Sequence, residues 1–102
     1  MKEKDQITRM DIEGELSIFT AAAIRERLLD SLADGAEIEV DLSKVSEIDC
    51  AGVQLMVAAQ REATARSKSL RFVSYSPAVL ELLDLCGISG HFGDPVQFRA
   101  QA

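Results

Sequence analysis

The sequence has no tryptophan, one tyrosine, one histidine, two prolines and two cysteines in 102 residues, and its bases are outnumbered, 11 against 17 acids. Each scarcity excludes something. With His91 as the sole histidine and no thiols or carboxylates clustered around it, no metal site and no other cofactor is expected. Cys50 and Cys86 lie far apart and outside any CxxC spacing, so free thiols in a reducing compartment are the expectation. The net charge of −6, with no local Lys/Arg cluster to offset it, opposes a phosphate backbone or an anionic leaflet, so nucleic acid and direct membrane insertion are not expected. The longest apolar run, residues 55–59, falls far short of the roughly 20 residues of a membrane span. MKEKDQ leads into no apolar signal-like segment, so a cytoplasmic protein is expected.

What is present is the composition of a globular chain, 47% hydrophobic and 27% charged, of a length that suits a single domain over residues 1–102. Residues 7–18 alternate Met10, Ile12, Leu16 and Ile18 with polar neighbours, a strand pattern that Gly14 interrupts as a bulge or close approach and that ends near Leu16. Thr20 is placed to cap a helix with Ile24, Leu28 and Leu32 on one stripe, and Gly35 to end it in the left-handed region. Residues 37–42, EIEVDL, form a second alternating strand, whose Glu37, Glu39 and Asp41 make a solvated face. SKVSEID is expected to be a short connection along the sheet edge. A helix follows from Ala51 or Gly52 to about Ser67, buried in its first half. Residues 70–74 form a short strand, and SPAVLELLDLCG combines Ser76 as cap, Pro77 at the first helical position and Gly87 as stop. PVQF, near the end of the chain, suggests an edge strand. Strands alternating with helices argue for an α/β sheet with parallel neighbours.

The chemistry-bearing residues are few. Asp49 directly precedes a helix and can accept hydrogen bonds from the free amides of its first turn. Cys50 lies at the same helix start, but a nucleophile needs a base and His91 has no orienting motif around it, so a small packed residue is expected. GISGHFG, around His91, has the wrong spacing for a dinucleotide loop and follows a helix rather than a strand.

At GEL (14–16), DLSKVSEIDCAG (41–52) and LRFVSYSPAVLELLDLCGI (70–88) the chain resembles a STAS domain, the family of bacterial anti-sigma factor antagonists and of the cytoplasmic tails of sulfate transporters. The resemblance implies a small mixed β-sheet of about four to five strands with helices packed on it, and no catalytic activity. In phosphorylatable members the residue before the glycine of the DxxG motif is a serine or threonine, modified by a partner anti-sigma factor with kinase activity. Here it is Ala51, which has no hydroxyl. The resemblance then implies a constitutive binder of an anti-sigma factor or related kinase-like ATPase, with Asp49, Cys50, Ala51, Gly52, Val53 and Gln54 as the partner-binding patch.

Single-domain relatives that serve lipid-transport ATPases or chemotaxis-like signalling systems give an alternative of the same class. Ser17 stands where family members often carry an acid. The first strand of the family is clipped here, which invites a homodimer or a partner strand. A phospho-receiver would need an acidic pair after the first strand and a lysine after the last. A nucleotide binder would need a lysine-bearing phosphate loop. Neither pattern is present.

Overall fold

The structure, a computed structural model, describes residues 7–88. β1 (Thr8–Leu16), α1 (Ala21–Asp34), β2 (Glu37–Ile48), α2 (Cys50–Ala65), β3 (Ser69–Val73) and α3 (Pro77–Leu85) follow one another along the chain. The strands form one sheet in the order β1-β2-β3, with both pairs parallel. The sheet of the described residues is therefore three-stranded and all parallel, not the mixed sheet of four to five strands expected. Each strand returns through a helix, and a helical crossover brings the next strand in parallel. The expected PVQF strand and His91 lie outside the described residues.

Alternation places Met10, Ile12, Leu16, Ile38, Val40, Leu70 and Phe72 on the covered face. Ile24, Leu28 and Leu32 of α1, Val53, Met56, Ala59 and Ala63 of α2, and Val79 and Leu83 of α3 complete one core. Full burial of a side chain such as Leu32 or Leu83 is worth roughly 1.5–3 kcal/mol. The opposite face is open among the described residues, although parallel sheets are usually covered on both. It carries an ion ladder in register: the Glu39 carboxylate accepts from Arg9 at 3.1 Å and from Arg71 at 2.9 Å.

Several local expectations change. SKVSEI is not a connection, because β2 runs through it to Ile48 and stays paired with β1. Two register shifts, between Asp11 and Glu13 and between Gly14 and Glu15, absorb the extra residues of β2. Gly14 has φ +82° beside the second shift, and a Cβ there would meet nothing within 4 Å. It serves backbone conformation, not close packing. Gly35 is extended rather than left-handed, and a Cβ on it would lie 2.6 Å from Thr8 Oγ1. A side chain there would require the Thr8 hydroxyl to rotate away, the next atoms lying at 3.6 Å or more. The last turn of α1 is instead held by Lys68, whose ammonium donates to the Leu32 carbonyl, favourable at the negative end of the helix dipole.

The α3 boundaries follow sequence expectation closely. The Ser76 hydroxyl oxygen accepts from the Val79 amide at 3.2 Å, with Pro77 behind it. At the other end Ile88 N–H donates to Leu83 O and Gly87 N–H to Asp84 O, both at 3.0 Å, the Schellman pattern, with Gly87 at φ +74°. At β1, an edge strand among the described residues, Arg27 Nη2 donates to the Asp11 carbonyl at 2.8 Å. That contact occupies a main-chain acceptor that an added strand would need.

Candidate functional site

The candidate surface is built where β1 ends and α2 begins. Asp49 leaves β2 with an extended backbone and caps α2, its Oδ1 accepting from Gly52 N–H at 3.1 Å. Its other oxygen, Oδ2, accepts from Ile18 N–H at 3.1 Å, and its own N–H donates to Leu16 O at 3.3 Å. One carboxylate thus joins a helix start to a turn 31 residues earlier in the chain. The Ile18 amide is the largest influence on the acidity of Asp49, and with the α2 amides it outweighs desolvation and lowers the pKa below the ordinary 3.8.

Gly52 allows this closeness. A Cβ on it would overlap the Leu16 carbonyl oxygen and stand 2.9 Å from both Ile48 Cγ1 and Leu16 Cγ. A larger residue would push α2 off the end of β1.

The β1–α1 turn is cross-braced by its own hydroxyls. Thr20 does not cap α1 with its side chain. Its Oγ1 instead accepts from Ser17 N–H and donates to Glu15 O, each at 3.0 Å. The Ser17 hydroxyl donates to Glu15 Oε1 at 2.9 Å and accepts from Phe19 N–H at 3.1 Å. Ser17 is consequently only 6% exposed and braces the turn from within. With the backbone amides of Ile18 and Phe19 both spent inward, their side chains are turned out, 68% and 88% exposed.

The six residues singled out in the sequence lie in different layers of this corner. Cys50 and Gln54 are exposed, Asp49 and Ala51 are half-buried, and Gly52 and Val53 are buried beneath them. Cys50 is not the packed residue expected: α2 turns it outward, where it and the exposed Cys86 line one shallow groove with Val53 and Val57. The sequence reading missed Ile18 and Phe19. Alternation grouped Ile18 with the buried stripe, although the strand was expected to end near Leu16, as it does. The available signal was SIFT, a pair of hydroxyl residues bracketing two apolar ones, which is turn chemistry.

The geometry defines a small α/β domain that presents a braced apolar turn beside a capped helix start. A family model described as "Mlab, STAS domain" matches residues 1–96, and the chain belongs to the STAS domain family. The anti-sigma-B factor antagonist of Bacillus subtilis (strain 168) is 25% identical over 88 residues, 86% of this chain and 81% of that protein. The structure of the anti-sigma factor antagonist SpoIIAA in its unphosphorylated form superposes with TM-score 0.64 at 23% identity, over 80% of this chain and 75% of that one. A sulfate transporter family protein from Wolinella succinogenes gives 0.65 at 18%, over 86% and 72%. The chain thus resembles the anti-sigma factor antagonists along most of its length. No helix among the described residues is long and apolar enough to cross a membrane.

Proposed function

We propose that this protein is a non-enzymatic, cytoplasmic interaction module of the anti-sigma factor antagonist type, which binds an anti-sigma factor or a related kinase-like ATPase through the β1–α1 turn and the first turn of α2. The observation that carries this reading is the Ile18–Phe19 pair, held out to solvent while Asp49 fixes its backbone to α2. Exposed apolar side chains on a pre-ordered backbone are what a binding surface needs, because little ordering entropy remains to be lost on docking. Cys50, Ala51 and Gln54 continue the contact surface, and Gly52 and Val53 support it from below.

At the position of the family's phosphorylatable hydroxyl stands Ala51, in the first turn of α2. No phosphate can be attached to it, so control of binding falls to abundance or to the partner.

Two variants test the reading against the anti-sigma factor encoded in the same organism. Phe19→Ala removes the most exposed large apolar side chain among the described residues and should weaken binding roughly thirtyfold if it is an interface anchor. Ala51→Glu puts a charge where family members carry phosphate and should abolish detectable binding. The fold should survive, since an acid in the first turn favours the helix by about 0.3–1 kcal/mol. Unchanged affinity for both variants by calorimetry would place the interface elsewhere.

The missing hydroxyl at Ala51 also favours a second reading, a STAS subunit of a lipid-transport ATPase complex, where no phosphorylation cycle is required. Stable co-elution of the chain with such an ATPase, and not with an anti-sigma factor, would select it. Strand addition at β1 is opposed at Asp11, whose carbonyl is already taken by Arg27.

A further inference from the structure

Taking the Ile18–Phe19 turn as the interface, as proposed above, the charges around it define the chemistry of what docks there. Glu15 and Glu47 are register partners on neighbouring strands, both exposed. Like charges directly opposed on a sheet are destabilising; the other such pair, Asp11 and Asp41, has Lys44 4.0 Å from Asp11, and the remaining charged register partners are of opposite sign. Glu39 lies between Arg9 and Arg71, and Glu13 is 3.7 Å from Lys44. Glu15 and Glu47 have no such cation among the described residues.

The imbalance is regional. Residues 14–24 and 45–60, which build this corner, contain Glu15, Glu47 and Asp49 and no lysine or arginine. The acids are also continuous with the apolar turn: Glu15 accepts from the Ser17 hydroxyl, which accepts from the Phe19 amide. An exposed apolar pair therefore sits in a rim of one charge sign, and that rim is kept at some cost to the sheet.

We propose that the Ile18–Phe19 turn enters an apolar pocket on a protein partner whose rim carries arginine or lysine side chains directed at Glu15 and Glu47. Such a rim relieves the Glu15–Glu47 repulsion on binding and speeds encounter through complementary fields. A second copy of this chain would bring the same acids against each other. An anionic lipid or a nucleic acid would meet the same repulsion.

The test starts with p-benzoylphenylalanine placed at Phe19, irradiated in an extract of the source cells, and the adduct mapped by mass spectrometry. Attachment to a different protein, at an apolar site flanked by arginine or lysine, is the expected result. Attachment to a second copy, to lipid, to nucleic acid, or to a site with acidic or uncharged flanks overturns the proposal.

The captured protein is then titrated with Glu15→Gln/Glu47→Gln. Its affinity should fall roughly tenfold at about 50 mM salt, and the difference should shrink to under about twofold at about 500 mM, where rim charges are screened. The double variant should melt no lower than the parent, because it removes a like-charge pair, so weaker binding is not unfolding. Equal affinity at low salt overturns the proposal. If the photoprobe captures a partner from position 51 and not from position 19, the α2 interface stands and the basic-rimmed pocket falls. Capture from neither position removes both.

Discussion

Gly52→Ala separates tertiary contact from local propensity more sharply than any other single change. In an isolated helix the substitution would stabilise by about 0.8–1.0 kcal/mol, since alanine loses less backbone entropy than glycine. Here the added methyl would overlap the Leu16 carbonyl oxygen and meet Ile48 Cγ1 and Leu16 Cγ at 2.9 Å. The overlapped atom is backbone, so no rotamer change relieves it. Either α2 moves away from β1 or the end of β1 bends. Overpacking of this kind costs typically 1–3 kcal/mol, and a backbone clash belongs at the upper end. Net of the propensity gain, the loss is about 2 kcal/mol. For a domain of this size that corresponds to a fall in Tm of roughly 8–16 °C. The displacement would also strain the Asp49 bridge between Gly52 and Ile18, so partner binding should weaken together with stability. Urea and thermal unfolding of purified parent and variant measure the first effect, and titration with the partner the second. A variant as stable as the parent, or more so, would show that the α2 approach is slack and that helix propensity governs this position.

Asp49→Asn should cost stability at neutral pH, because its amide group keeps one acceptor and cannot take both the Gly52 and Ile18 amides. The carboxylate of Asp49 has its pKa held below 3.8 in the folded chain, so its contribution is fully present above the unfolded value and is lost as pH falls through the folded one. The gap in urea midpoint between parent and Asp49→Asn should be constant from about pH 5.5 to 8 and close below about pH 4; a gap independent of pH would contradict the bridge. Tyr75, the only tyrosine in the chain, is 7% exposed, and burial raises its pKa from 10.0 to about 12. Its tyrosinate absorbance should titrate near 12 in native protein and near 10 in urea, with the stability that its burial confers intact below pH 10 and declining as pH rises towards 12. A native midpoint near 10 would mean that the ring is solvated.

The parts of the fold legible in sequence were those fixed by neighbours in the chain. The period of two in residues 37–42 and the stripe of Ile24, Leu28 and Leu32 both became buried faces. Ser76, Pro77 and Gly87 carry their conformational instructions locally, and α3 begins and ends where they say. The second half of β2 was not legible. SKVSEI breaks alternation because two bulges shift its register, and a bulge is decided by the partner strand. Thr20 and Gly35 show the same limit. A threonine before a helix and a glycine after one have usual roles, and each was drawn instead into a contact with β1.

The candidate site divides along the same line. By itself the sequence determined the alternation of strands and helices, the acidic balance, the DxxG motif and the absence of a hydroxyl at Ala51, because these are properties of residues and their spacing. The tertiary structure decided that Cys50 faces outward, that Gly52 is needed for contact with Leu16, and that Ile18 and Phe19 stand at the surface. The physical reason is the second oxygen of Asp49. A helix cap needs only one acceptor, and where the other finds its amide depends on which segment the sheet brings beside it, here a turn 31 residues away.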